Sequence, residues 1–203
     1  MNYYMIENNT RNKLFILVLS LFFIFFCWSF YVVFFLNNAS FYKENGTLEN
    51  IQVLLLFATF LIFLLPTLYQ KRDDKLIFGF FSLLIFNFIL RELDVEEFAI
   101  PKILILIGSG IGRKVILAIG FVSLLLYATF NFKYYTNLSK ELLQSKAGAL
   151  IVISPIFLFL GGFFEEAQFQ HNEYFEEISE LIGYILLFFV ALIFFNRSLG
   201  VRG

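Results

Sequence analysis

The first long apolar run limits the fold more than any other feature of this chain. Leu14 to Leu36 form an uncharged stretch of 23 residues. A helix of this length, rising about 1.5 Å per residue, crosses a hydrocarbon core of roughly 30 Å. The run is too long for the core of a signal peptide, and no convincing small-residue cleavage site follows it. We therefore expect it to remain in the protein as a membrane anchor.

Further apolar runs follow, and 60% of all residues are hydrophobic, which leaves little for a soluble domain. The strands of a membrane barrel alternate apolar and polar residues over about ten positions, and these runs do not. Because backbone polar groups in lipid must be satisfied internally, helices remain. The sequence predicts an all-α polytopic membrane protein, one integral domain over residues 1–203, with six transmembrane helices at about 14–36, 49–69, 76–97, 113–133, 147–164 and 174–195.

The segment before the fourth predicted helix is too long for a simple connection. An apolar pentapeptide, residues 103–107, is followed by glycines at alternate positions. We expect a short interfacial or re-entrant piece that breaks at these glycines. The alternative, a nucleotide-binding loop, would need a strand-turn-helix context, which this sequence lacks. Small residues also let membrane helices approach closely. We therefore expect four glycines to lie against neighbouring helices: Gly108, Gly112, Gly161 and Gly162.

The distribution of Lys and Arg predicts the orientation. Cytoplasmic loops of membrane proteins carry an excess of these residues. With a cytoplasmic N-terminus, ten of the 15 lie on the inner side. We therefore expect a bacterial-type inner (plasma) membrane protein with both termini in the cytoplasm. The inner residues are Arg11, Lys13, Lys71, Arg72, Lys75, Lys133, Lys140, Lys146, Arg197 and Arg202, and the outer ones are Lys43, Arg91, Lys102, Arg113 and Lys114.

The same topology places twelve of the 16 acids outside, in three groups at residues 44–49, 92–97 and 165–180. Carboxylates near lipid cost several kcal/mol unless they are paired, and the outer cations are too few to pair them all. A divalent cation or shared protons could neutralise the remainder. Oxygen ligands suit Mg²⁺, Ca²⁺ or Mn²⁺. We expect these metal ligands at the outer interface: Glu49, Glu92, Glu166, Glu177 and Glu180.

Two further residues complete the predicted site. Arg91 would act as the counter-charge, and His171 would lie at the mouth of the site as a base. The alternative is a plainly solvated acidic surface, since the helix dipole favours acids in the first turn of a helix.

Three motifs carry a resemblance: Glu44-Asn45-Gly46-x-x-Glu49, Arg91-Glu92-Leu93-Asp94 and Glu176-Glu177-x-x-Glu180. They resemble motifs in a group of uncharacterised bacterial multipass inner-membrane proteins, although Asn45 stands where an acid would be expected. The resemblance implies that the three motifs belong to one site. It implies no activity.

Several function classes fit poorly. The histidine motifs of CAAX-processing proteases and the paired Glu-x-x-His motifs of di-iron bundles are missing, and His171 precedes the helix that would carry a rhomboid histidine. No basic patch with interleaved aromatic residues supports nucleic-acid binding. Two classes remain open, with the lipid bilayer as partner of both. One is a divalent-metal-dependent enzyme on a lipid or lipid-linked substrate. The other is a non-catalytic cation-binding transporter or accessory subunit of a membrane complex.

Overall fold

The computed structural model describes residues 2–43, 45–69, 75–93, 95 and 101–199. These residues form helices and no strand, so the all-α prediction is confirmed for this part of the chain. The chain divides into two compact units, Met1–Gly46 and Thr47–Gly203. The helices are α1 (Asn2–Phe34), a 3₁₀ turn (Ala39–Phe41), α2 (Thr47–Tyr69), α3 (Lys75–Glu92), α4 (Lys102–Gly108), α5 (Gly110–Phe130), α6 (Phe132–Leu143), α7 (Lys146–Glu166) and α8 (Asn172–Leu199).

Five segments within the described residues are long and apolar enough to cross a membrane. The protein is therefore consistent with a polytopic helical membrane protein, but the predicted set of six is not reproduced. The difference is α3, which has only 18 residues and carries charges at both ends. The five segments are Phe15–Phe34, Thr47–Tyr69, Gly110–Phe130, Lys146–Glu166 and Asn172–Phe195.

In the first unit, α1 is a long helix, and its described apolar side chains, from Phe15 onward, are mostly exposed, as is typical of a helix in lipid. Its C-terminal part contacts the 3₁₀ turn. The ring of Trp28 meets that of Phe41 edge to face, with centroids 5.2 Å apart. Phe41 and Val33 are buried. Aromatic packing thus joins the helix to the turn that follows it.

The core of the second unit is aromatic and is shared by α2, α3 and α8. Phe63 of α2 is fully buried and stacks on Phe81 of α3, with ring centroids 5.1 Å apart. Phe194 of α8 packs edge to face on Phe63 and on Phe78. Offset and edge-to-face ring pairs add to the energy of apolar burial. These contacts hold α3 along both α2 and α8.

Helices α7 and α8 approach each other closely because small residues face the contact. The Ser154 hydroxyl donates to the carbonyl of Gly183 at 3.0 Å. A Cβ atom on Gly183 would lie 2.8 Å from Leu158 Cδ2, and one on Gly161 would lie 2.6 Å from Glu180 Cγ. Such distances leave no room for a side chain. The prediction for Gly161 is confirmed.

The other glycine predictions had different outcomes. A Cβ atom on Gly108 would lie 3.0 Å from Val95 Cγ1, a close contact, but Val95 lies beyond the end of α3, so the predicted contact with a neighbouring helix stays a prediction. The prediction for Gly162 is wrong, since a Cβ atom there would meet open space. Neighbouring helix positions point about 100° apart, and only one of two adjacent glycines can face α8. Gly112 stays a prediction.

The predicted break before the fourth span is confirmed, since α4 ends at Gly108 and Ser109 has extended backbone angles. Gly110 follows with φ +49°, a conformation that glycine adopts without strain. The fourth span starts there, three residues earlier than predicted.

The segment between the fourth and fifth predicted spans contains a helix that the sequence did not predict, while its cytoplasmic location stays a prediction. Residues 132–143 form helix α6. Its half-buried side chains Tyr135, Leu138 and Leu142 recur at helical spacing, whereas Lys133 and Lys140 are exposed. An amphipathic helix of this kind contains no long apolar run. A search for apolar runs therefore misses it.

Candidate functional site

An ion-pair network lies where the end of α3 meets α8. The guanidinium of Arg91 contacts Glu180 Oε2 and also lies 2.8 Å from Glu92 Oε1. Both carboxylate side chains are almost fully buried, with 6% and 8% of their surface exposed for Glu92 and Glu180. Arg91 itself remains partly exposed. One cation therefore serves two buried carboxylates.

Tyr184 completes this group, which we call the Arg91 network (Arg91, Glu92, Glu180 and Tyr184). Its hydroxyl donates to Glu92 Oε1 at 2.7 Å, and the residue is fully buried. Tyr184 lies four residues after Glu180, so the two side chains share one face of α8. Hydrogen bonds to a buried carboxylate stabilise its charged form. Two acids and one guanidinium leave one negative charge in excess, which a proton or another cation can balance.

A second polar contact joins α2 to α8. Gln52 is fully buried, and its Nε2 donates to the carbonyl and to Oε2 of Glu177, both at 2.9 Å. Its Oε1 is the one buried side-chain nitrogen or oxygen atom without a hydrogen-bond partner among the residues described. An unsatisfied buried polar atom costs about 1–3 kcal/mol. The described protein atoms leave this amide oxygen unused, while the Nε2 of the same amide holds the Glu177 carboxylate.

Further carboxylates act on these residues. Glu92, Glu180, Glu49 and Glu176 lie near enough for their negative charges to repel that of Glu177. Glu165 at the end of α7 acts in the same way on Glu176 and Glu180. Acids from the start of α2, the end of α3, the end of α7 and the start of α8 thus lie within electrostatic reach of one another. We call these residues, with Gln52, the acidic end of the helix bundle.

The predicted site residues differ in their surroundings. Glu92 and Glu180 belong to the Arg91 network, and Glu177 is held by Gln52, while Glu49 is half-buried in the first turn of α2. Glu166 is exposed at the last residue of α7. Its assignment as a metal ligand stays a prediction. Other predicted outer acids lie outside the described residues: Glu44, Asp94, Glu96 and Glu97.

His171 immediately precedes α8. It is half-buried, with φ +63°, and its carbonyl accepts from the N–H of Phe175 at 3.2 Å. These contacts place it at the start of the helix that carries Glu177 and Glu180. Its role as a base stays a prediction.

Sequence reasoning missed Gln52 and Tyr184, which bind the predicted acids directly. The sequence contained an indication of each residue. Gln52 is a polar residue inside an apolar run, three positions after Glu49, and Tyr184 follows Glu180 by four positions. Arg113, one of the predicted outer cations, donates to the carbonyl of Leu90 at 2.8 Å in the last turn of α3. A cation at that position forms a hydrogen bond with a carbonyl near the helix C-terminus.

Within the described ranges, no three His, Cys, Asp or Glu side chains are grouped so that they could hold a metal ion. Comparison with known proteins found no match, since no family model, no curated protein and no solved structure is similar to the chain. The resemblance carried by the three motifs stays a prediction.

Proposed function

We propose that the chain is a bacterial-type inner-membrane protein in which α3 is the sixth span. The packing of α3 supports this. Its buried residues extend from Phe78 to Ile89 and lie in one core with α2 and α8, which are both long enough to cross the membrane. Eighteen residues rise about 27 Å, close to the thickness of the hydrocarbon core. The charged residues of α3 then lie at its two ends, near the interfaces.

We expect α6 in the cytoplasm and the α7–α8 connection outside, because the Lys and Arg excess marks the inner side. Ser139 and Gln168 are exposed and flank the two ends of α7. In a Cys27→Ser background, Gln168→Cys should react with a membrane-impermeant maleimide in intact cells. Ser139→Cys should react only after permeabilisation. Labelling with the reverse pattern would contradict the orientation, and equal labelling of both would contradict the α7 span.

We further propose that the acidic end binds a divalent cation. The observation that carries this proposal is the buried, unpartnered Oε1 of Gln52 beside Glu177. Amide and carboxylate oxygens are the ligands that Mg²⁺, Ca²⁺ and Mn²⁺ prefer. A cation there would satisfy the amide oxygen and reduce the repulsion that Glu177 experiences from four other acids. Small side-chain shifts would have to bring the ligands together, with water filling the remaining positions.

Binding without catalysis is the function that the contacts support best. Glu92 and Glu180 are already engaged by Arg91, and Glu92 also accepts from Tyr184. Such engaged carboxylates suit a fixed binding site in a transporter or accessory subunit. A metal-dependent enzyme on a lipid-linked substrate, with His171 as base, would need the same ion. Cation binding is therefore the first property to measure.

The test uses the full chain in lipid nanodiscs, titrated with Mn²⁺ and followed by electron paramagnetic resonance. Glu177→Gln and Gln52→Leu should each weaken Mn²⁺ binding at least about tenfold, because losing even a residue that only supports a metal ligand costs about this much affinity. Lower pH should weaken binding as well, because protons compete for the carboxylates.

Glu141→Gln is the matched control, since Glu141 is an exposed acid on α6 and does not belong to the acidic end. Its affinity for Mn²⁺ should equal that of the unmodified chain. Equal weakening by all three variants, or no saturable binding to the unmodified chain, would overturn the proposal. The buried acids would then be balanced by Arg91 and by protons without a metal ion.

A further inference from the structure

A cavity of about 830 Å³ opens at the other end of α3 from the Arg91 network. Its volume lies within the range of small-molecule sites, about 300–1,000 Å³. Residues of α2, α3, α5 and the start of α6 line it. The polar residues that matter most are Lys75, Tyr127, Asn131, Tyr134 and Tyr135.

The two helices that form its walls run antiparallel. A Cβ atom on Gly120 of α5 would lie 2.7 Å from Leu83 Cδ2 of α3. One turn further along, a Cβ atom on Gly79 of α3 would lie 3.8 Å from Leu124 Cδ2 of α5. Continuing in this register brings Lys75, the first residue of α3, level with the end of α5 and the start of α6. The cavity is therefore polar at the Lys75 end and apolar at the Leu83 end.

Two hydroxyl groups in the wall do not change this division. Ser123 donates to the carbonyl of Ile119 at 2.7 Å, and Thr67 donates to that of Phe63 at 2.9 Å. Both hydroxyl protons are used within their own helices. The middle of the cavity is therefore lined mainly by methyl and methylene groups, and Lys75 is the one charged residue among the described residues of its lining.

We propose that this cavity binds one anionic phospholipid, with its phosphate on Lys75 and an acyl chain along the wall formed by Leu76, Gly79 and Leu83. The positive charge of Lys75 complements a phosphate. Tyrosines at the same level match the preference of this residue for the membrane interface. The Lys and Arg distribution assigns this end to the cytoplasmic side, where anionic lipids attract basic residues. Beyond Lys75 the cavity continues as an apolar region, which fits a lipid better than a free phosphate.

The experiment measures phospholipid affinity by native mass spectrometry of the full chain in detergent, with phosphatidylglycerol and phosphatidylcholine as probes. The unmodified chain should prefer phosphatidylglycerol. Lys75→Gln should weaken phosphatidylglycerol binding about fivefold and leave phosphatidylcholine binding unchanged. Gly79→Leu should weaken both lipids, because its side chain would fill the apolar part of the cavity.

Lys140→Gln is the matched control, because Lys140 is an exposed lysine of α6 that does not line the cavity. It should leave both affinities unchanged. Equal affinity of the unmodified chain for the two lipids would overturn the proposal, as would an equal effect of Lys75→Gln and Lys140→Gln. If millimolar inorganic phosphate displaced phosphatidylglycerol, Lys75 would be a site for a free anion, and the lipid assignment would be overturned.

Discussion

Replacing Arg91 with methionine is expected to lower the free energy of unfolding by about 3 kcal/mol, the lower end of the loss for removing one partner of a buried ion pair, because the Arg91 side chain is 39% exposed and solvent screens its charge. The substitution keeps much of the apolar length of the side chain but leaves Glu92 and Glu180 buried without their shared cation. Both carboxylates would then need protons, or the end of α3 would separate from α8. The melting temperature in detergent and the urea midpoint of the purified chain measure the effect.

Lys114→Met is the matched control. Lys114 is another predicted outer cation, but it is exposed, and its replacement should change the stability by less than about 0.5 kcal/mol. Adding Glu180→Gln to Arg91→Met should recover part of the loss, because one uncompensated buried charge disappears. If Arg91→Met and Lys114→Met had equal and small effects, the Arg91 network would not stabilise the fold.

The sequence predicted that the charged residues of this network belong to the site, because the energetic cost of placing a charge near lipid can be judged without knowing the fold. Arg91 and Glu92 end an apolar run, and Glu180 begins another. Charges at such positions must find partners when the helices assemble. The choice of partners depends on helix rotation and register. Those are set by packing such as the stacking of Phe63 on Phe81, which hydropathy does not describe.

The same reason explains what sequence reasoning missed. Gln52 and Tyr184 are recognised as parts of the site only when α2, α3 and α8 have their relative rotations, which bring an amide and a hydroxyl to the acids. Helix α6 was missed for another reason. This helix has one polar face and one apolar face, so its sequence contains no continuous apolar run. Element type follows from local pattern, whereas the site follows from tertiary contacts.

Gly161→Leu is expected to lower the free energy of unfolding by about 1–3 kcal/mol through overpacking alone. The loss should reach at least the upper part of this range, since the new Cβ atom would lie 2.6 Å from Glu180 Cγ. Moving Glu180 would pull its carboxylate away from Arg91. The melting temperature of the variant in detergent should therefore fall by several degrees.

Gly162→Leu provides a control of identical chemistry at the adjacent residue of the same helix. A side chain at Gly162 meets open space, so leucine should be tolerated there and should stabilise α7 slightly, because leucine is the better helix former. Combining Gly161→Leu with Arg91→Met should cost less than the sum of the two single losses, since both act on the contact between Arg91 and Glu180. Equal melting temperatures for the Gly161 and Gly162 variants would contradict the close approach of α7 and α8. Additive losses in the double variant would mean instead that Gly161→Leu acts through helix packing alone and leaves the ion pair in place.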